Sequence, residues 1–411
     1  MNEKRGWRAR AGSIYTQSVH GGEDRKKYAD AITTPIVQSS TFVFPSTREV
    51  ERYTSGQLSR YEYGRYGNPT QKAAERKLAL LEGAEECLLF DCGMSAVTST
   101  LFALLGKGDH LVITDDAYGQ TLKFCKFVLP RFGIGCTVVE MGDYRALEKA
   151  IRKNTRVIFS ESPTNPYLNV IDLEQMQRIR RQYGRLMLID ATFATPFNQR
   201  PLEWGMDLVI HSTTKYLAGH NDLLGGALLG SKDLVNTVRD YQRITGSILD
   251  PHGCYLLIRG MKTFALRVEF QNRSAQKVAE FLEGHPKIRK VFSPGLPSHP
   301  HHQIAARQMK GFGGVVSFWV DGNLQQVKKF LDSLRFLYIG PTLGGVETLL
   351  SHPATITYYR NTRKERYALG ITDQLCRLAL GIEDPQDIIA DLDQALGKMQ
   401  GTRAPMSHGE K

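Results

Sequence analysis

Two apolar runs, each ending in a chemically pointed residue, constrain this chain more than any other feature. Asp207-Leu-Val-Ile-His-Ser-Thr-Thr-Lys215-Tyr-Leu-Ala-Gly-His-Asn-Asp222 begins as a short, partly β-branched segment and breaks off into hydroxyls, one lysine and a glycine turn. Leu186-Met-Leu-Ile-Asp190 ends in a carboxylate 25 residues before Lys215. Short apolar runs bounded by polar residues read as interior strands of a parallel sheet. In open α/β sheets the carboxyl ends of such strands converge on the ligand crevice. The pair therefore predicts a buried lysine and a buried acid facing one pocket.

Burial disfavours an ammonium, so part of Lys215 is a free amine able to condense with an aldehyde. Ser212 and Thr214 flank it with hydroxyls suited to phosphate oxygens. An aldehyde, a phosphate and a ring nitrogen that needs an acidic partner together describe pyridoxal phosphate. Alone, Lys215 reads as a loop lysine and Asp190 as a strand cap; their combination carries the argument.

The rest of the chain supplies a frame for that pocket. Residues 1–60 are polar, are broken at Thr34-Pro35 and Phe44-Pro45, and offer only short β-like pieces. Such an arm buries little by itself and is expected to rest on a neighbouring subunit. From about residue 72 helical and strand patterns alternate. Gln71 to Gly83 is amphipathic, Glu86 to Asp91 strand-like, and Cys92-Gly93-Met94-Ser95 a turn opening an apolar helix to about Leu105. A glycine turn at a helix N-terminus offers N–H groups and the helix dipole to an anion, which marks Gly93 and Met94 as a phosphate cradle. Further strands are expected at His110 to Thr114, with Tyr118 just beyond, and at Arg156 to Ser160 and Leu223 to Gly230, with a helix from Leu173 to Tyr183. The expected core over 61–262 is a mostly parallel seven-stranded sheet with helices.

Continuous helical periodicity from about Pro251 to Gly284 leads to a smaller α/β domain, 263–411, with a disordered tail expected from about residue 401. Its strands are expected at Lys290 to Phe292, Gly314 to Val320 and Leu375 to Leu380, its helices at about 301–310, Leu324 to Leu334 and Gln386 to about Met399. Arg377 interrupts the apolar run Leu375-Cys-Arg-Leu-Ala-Leu380. A buried arginine is costly without a carboxylate, so either an internal acid or a substrate carboxylate must face it.

Composition narrows the function class. The net charge of +11 would suit nucleic acid or anionic membranes, but no nucleic-acid motif accompanies it, and clusters such as Lys4, Arg5, Arg8, Arg10 and Arg178, Arg180, Arg181 read as solvated faces. Six scattered cysteines lack metal or disulfide spacing and read as small hydrophobes in a reducing compartment. Neither a signal core nor a membrane span is legible. The expectation is a cytoplasmic enzyme without a metal, acting on small molecules.

Four motifs then carry a resemblance. Tyr61-Glu62-Tyr63-Gly-Arg65-Tyr-Gly-Asn-Pro-Thr70, Glu161-Ser-Pro-Thr-Asn165-Pro166, Ile189-Asp190-Ala-Thr192-Phe-Ala-Thr-Pro196 and Ser212-Thr-Thr-Lys215-Tyr-Leu-Ala-Gly-His-Asn-Asp222 resemble the Cys/Met-metabolism (transsulfuration) pyridoxal phosphate enzymes, in wording closest to the cystathionine γ-synthase branch. The resemblance implies the aspartate-aminotransferase-like fold (fold type I) and a homotetramer whose active sites are shared between subunits. It implies that Tyr118 stacks on the pyridine ring and assists proton transfer as a catalytic residue with Lys215 and Asp190, that Asn165 bonds the ring's phenolic oxygen, and that Gly93, Met94, Ser212 and Thr214 hold the phosphate. Thr192 counts among the cofactor residues, and Tyr63 and Arg65 reach the neighbour's cofactor phosphate. Arg377 is implied to bind the substrate α-carboxylate with Thr342 nearby, Glu62 to meet a distal ammonium, and Tyr358 to stand where a His is common.

The implied chemistry has Lys215 move protons at the α- and β-carbons of an amino acid while Asp190 keeps the ring nitrogen protonated, so that a γ-substituent leaves. Addition of a thiol gives γ-replacement; release of a 2-oxo acid gives γ-elimination. Gln120 after Tyr118-Gly119 departs from methionine γ-lyases, Pro341 replaces a Glu common in cystathionine γ-lyases and some bacterial γ-synthases, Ala191 stands where Asn or Gly is frequent, and Glu62 and Tyr358 match γ-synthases. These residues favour a γ-synthase joining an O-activated homoserine to cysteine, with a γ-lyase of another γ-substituted amino acid as the alternative.

Overall fold

The computed structural model describes residues 12–399, so the basic cluster at residues 4–10 and the expected tail from about 401 lie outside the described residues. Seven short strands form one sheet: β1 (Glu86–Phe90), β2 (His110–Thr114), β3 (Gly135–Val139), β4 (Thr155–Glu161), β5 (Leu186–Asp190), β6 (Leu208–Ser212) and β7 (Gly226–Gly230). Their order is β1-β7-β6-β5-β4-β2-β3. β7 alone is reversed, antiparallel to both β1 and β6; the other pairings are parallel. The interior strands are apolar on both sides because helices cover both faces. Leu111, Ile113, Phe159 and Leu188 point into one core layer, and Val112, Ile158, Met187 and Ile189 into the other.

Local chemistry sets the helices. Asn68 accepts the Thr70 N–H at 2.8 Å, Pro69 occupies the first turn, and left-handed Gly83 closes the helix Pro69–Glu82. The single periodicity expected from Pro251 to Gly284 is two helices, Pro251–Lys262 and Phe264–Gly284, parted at Thr263, where φ and ψ are −107° and 5°. Sequence spacing cannot register a one-residue kink that leaves both apolar faces in phase.

A second sheet holds β8 (Ile288–Phe292), β9 (Val315–Val320), β10 (Tyr338–Ile339), β11 (Leu349–Ser351) and β12 (Leu375–Ala379) in the order β10-β11-β12-β9-β8. Only the β10–β11 pair is parallel. Val316, Phe318, Leu378 and Cys376 pack there against the helices Phe264–Gly284 and Pro385–Gly397.

The early chain lies against the first unit through a buried ionic knot. Glu23 meets Lys77 and Lys262 at 3.2 Å each and Lys27 at 3.4 Å, and accepts the Thr34 hydroxyl at 3.1 Å. Lys77 also donates to the carbonyls of Ser18 and Val19, tying the helix Ile14–His20 to the helix Pro69–Glu82. Burial pulls its pKa down to about 8 in spite of Glu23. Farther along, Tyr28, Ile32 and Val43 are more than four-fifths exposed. Among the described residues no helix is long and apolar enough to cross a membrane.

Candidate active site

Glu161, Asp190 and Ser212 end β4, β5 and β6, side by side at the carboxyl edge of the first sheet. They line a cavity of about 260 Å³ together with Gly93 and Met94 from the start of the helix Gly93–Leu104. Pro341, Leu343 and Arg377, from the second sheet and its loops, complete the wall. This is the strand-end crevice that parallel α/β sheets provide.

Lys215 sits three residues past β6 and donates from Nζ to Thr342 Oγ1 at 2.7 Å. That approach needs a close backbone fit. Gly344 has φ +80°, and a β-carbon on it would lie 2.5 Å from the Tyr216 nitrogen. Burial, and then the Arg377 guanidinium, lower the Lys215 pKa to about 8, so a substantial free-amine fraction exists near neutrality.

Asp190 is buried, and Oδ1 accepts both the N–H (3.0 Å) and the hydroxyl (2.6 Å) of Thr192. Thr192 Oγ1 in turn accepts the Ser212 N–H at 2.8 Å, fixing β5 to β6 at the cavity floor. Burial raises the Asp190 pKa, opposed by the two Thr192 bonds.

Arg377 resolves one of the alternatives left by its sequence. Nη1 donates to Asn165 Oδ1 at 2.9 Å, and Nη2 to the carbonyls of Pro341 and Thr342 at 3.0 and 3.1 Å. Among the described residues, the buried Nε has no hydrogen-bond partner and no acid is among the partners of this guanidinium. Burial pulls its pKa down to about 10, in spite of the opposing effects of Tyr216 and Tyr118. A carboxylate from outside the chain would meet both needs.

Other expected residues fall in two groups. Tyr118 lines the cavity at the start of the helix Gly119–Lys123, its N–H donating to Glu161 Oε2 at 2.7 Å, and Tyr358 stands close by, its pKa raised by burial and then by Glu161 and Tyr118. The Thr214 hydroxyl also lines it but is committed to Gly225, donating to its carbonyl at 3.2 Å and accepting its N–H at 2.9 Å. Glu62, Tyr63 and Arg65, by contrast, do not line the Lys215 cavity of their own chain. Glu62 accepts the Tyr53 hydroxyl at 3.0 Å, while Arg65 donates to the Arg243 carbonyl and lies over the rings of Tyr63 and Tyr66. Tyr63 and Arg65 line a separate hollow with Asp250.

Residues 15–397 match the family described as Cys/Met metabolism PLP-dependent enzyme. The chain belongs to this family. Its members are pyridoxal phosphate enzymes with a mixed α/β core of mostly parallel strands, fold type I. Over 382 residues the chain is 47% identical to cystathionine gamma-synthase 1, chloroplastic, of Arabidopsis thaliana, covering 92% of this chain and 68% of that one. It is 42% identical to an L-methionine gamma-lyase of Fusobacterium nucleatum subsp. polymorphum, covering 93% and 98% of the two chains, and equally identical, with the same coverage, to cystathionine gamma-lyase of Bacillus subtilis. The crystal structure of metB from Corynebacterium glutamicum superposes with a TM-score of 0.89 at 36% identity, over 96% of this chain and 100% of that one.

The residues present fit the family's cofactor. Lys215 would offer a free amine to its aldehyde, and Asp190 a buried carboxylate to its ring nitrogen. The phosphate would be met by the N-terminus of the helix Gly93–Leu104, where glycine is needed: a β-carbon on Gly93 would stand 3.0 Å from Ser212 Cβ and 3.1 Å from its Oγ, closing the cradle. The sequence reading passed over Glu161 as a site residue, although it ends an apolar run in an acid just as Asp190 does. The fully buried His211–Glu82 pair, 2.8 Å apart on the other face of β6, was also missed; the positions are too distant in sequence for spacing to link them.

Proposed function

We propose that this enzyme catalyses PLP-dependent γ-replacement on an O-activated homoserine by cysteine, giving cystathionine. The observation that carries the reading is the buried, acid-free guanidinium of Arg377 facing the cavity that holds the Lys215 amine, which suits an α-amino acid with its carboxylate at Arg377. The bound cofactor supplies the aldehyde and the electron sink that make the α-proton acidic. Lys215 then takes that proton and moves one at the β-carbon, releasing the γ-substituent. Tyr118 backs the ring, Asn165 orients it and binds Arg377, and Asp190 with Thr192 keeps the ring nitrogen protonated. Thr342, whose carbonyl binds Arg377 and whose hydroxyl lies 2.7 Å from Lys215 Nζ, borders the substrate carboxylate. Gly93, Met94 and Ser212 hold the phosphate, while the Thr214 hydroxyl, engaged by Gly225, braces the loop beside them. Tyr63 and Arg65 complete the phosphate site of a neighbouring subunit, Glu62 meets the distal ammonium, and Tyr358 borders the substrate.

Replacement is favoured over elimination by the 47% identity to a γ-synthase. The 42% identity to two γ-lyases supports the alternative, γ-elimination of cystathionine, methionine or a canavanine-like amino acid. We assign residues 1–60 to an arm on a neighbouring subunit, 61–262 to the cofactor domain and 263–411 to the smaller domain, within a cytoplasmic homotetramer. The exposed Tyr28, Ile32 and Val43 support the arm assignment. Mass-spectrometric product analysis with O-succinyl-, O-acetyl- and O-phosphohomoserine, with and without cysteine, tests the proposal. Cystathionine formed in preference to 2-oxobutanoate is expected; oxo acid irrespective of cysteine would establish the lyase instead.

A further inference from the structure

Glu161 is a buried acid without an assigned task. β4 and β5 run in register with Glu161 opposite Asp190, so the two carboxyl groups leave the sheet on the same face, and both line the cavity. Neither forms an ion pair with a lysine, arginine or histidine among the described residues: Glu161 takes one hydrogen bond, from the Tyr118 N–H at 2.7 Å, and Asp190 takes two, both from Thr192. Adjacent buried carboxyls of this kind do not both ionise; one retains a proton. The hydrogen bonds decide which, because the better-donated oxygen keeps the charge. Asp190 has a backbone N–H and a hydroxyl to stabilise its anion, against one backbone N–H at Glu161.

The remaining groups around Glu161 push the same way. Asp116, from the turn after β2, is itself raised to about 7 by burial, and Tyr118 and Tyr358 bring only neutral phenols. Burial comes first among the causes that raise Glu161, followed by Asp190. We propose that Glu161 is a positioning residue, an uncharged carboxylic acid that anchors the Tyr118 turn and, by carrying no charge beside Asp190, leaves that carboxylate as the single anion at the ring-nitrogen end of the site. The inference rests on the cofactor placement proposed above but not on the choice of γ-chemistry.

The test begins without substrate. Infrared difference spectra of the holoenzyme at neutral pH, wild type minus E161Q, should show the carbonyl stretch of a protonated carboxylic acid, moved by ¹³C-glutamate labelling. A spectrum without that band overturns the proposal whichever reaction the enzyme runs. If E161Q does not load cofactor, labelled E161D replaces it: the labelled acid band must disappear while the cofactor stays bound. In turnover, Glu161→Gln, which keeps the shape and the neutral charge, should leave kcat/KM within about threefold and its pH profile unshifted, whereas Glu161→Ala should lower it about tenfold or more through a displaced Tyr118. A loss of about a hundredfold or a shifted pH profile in E161Q, with cofactor content intact, would show that the ionised form is required and would refute the inference.

Discussion

The Lys215 amine offers the sharpest quantitative test. Its pKa of about 8, against an ordinary 10.5, follows from burial and from the Arg377 charge. At pH 7 about one such amine in ten is free, compared with about one in 3,000 for an ordinary lysine, a ratio of about 300. Competitive labelling of the apoenzyme with trace acetic anhydride from about pH 6 to pH 10, with the Lys215 peptide quantified by mass spectrometry, reads that fraction directly. Thr342→Val adds a second arm, because it removes the oxygen that accepts from Nζ at 2.7 Å. A hydrogen bond to a charged group is worth about 1.5–3 kcal/mol, part of which the neutral amine also enjoys, so the midpoint should fall by about one further unit. Stability carries the same sign. Between about 8 and 10.5 the unfolded chain binds more protons at this site than the folded apoenzyme, so apoenzyme stability rises with pH across that window, and Lys215→Met abolishes this contribution. A wild-type midpoint at or above about 10, or a midpoint raised by Thr342→Val, would refute the desolvation argument.

Three further outcomes are expected. Arg377→Lys, which cannot reproduce the fork that binds Asn165 and the two carbonyls, should raise KM for the amino acid about a hundredfold with a smaller effect on kcat, measured by steady-state kinetics. Lys215→Ala and Arg65→Ala should each abolish activity with the fold retained by circular dichroism; co-refolding the two variants should restore a fraction of it if active sites are shared, and no recovery would remove Arg65 from the neighbour's site. Glu23→Ala breaks the buried knot around Lys77. Such losses reach about 3–5 kcal/mol, but Lys77 can shed its proton, so about 2 kcal/mol is expected, seen as about thirtyfold faster hydrogen exchange in Ile14–His20. Unchanged exchange there would disprove the clamp.

The interior of the first sheet was legible because its strands are short, apolar and cut off by polar residues. Leu186–Asp190 and His110–Thr114 fall where the pattern sets them. β3 went unread: it is an edge strand, only partly buried along Gly135 to Val138, so its apolar signal is diluted. β10 and β11 have two and three residues, too few to show a period. In the site, residues at strand ends were readable one by one, whereas their pairings were not. The contact of Arg377 with Asn165 spans 212 positions, and that of Lys215 with Thr342 spans 127. No local pattern encodes such meetings. Thr214 shows the opposite limit: its type suits a phosphate, but Gly225 already engages its hydroxyl.

The division of the cavity between two sheets has a consequence for the chain while it is being made. Gly93, Asp190, Ser212 and Lys215 all leave the ribosome before Thr342 and Arg377. A chain that has emerged past Lys215 but not as far as Thr342 would therefore carry the residues proposed to hold the cofactor from one subunit, yet lack the guanidinium proposed to bind the substrate carboxylate. In the order of synthesis, the part of the site proposed to recognise the substrate is added last.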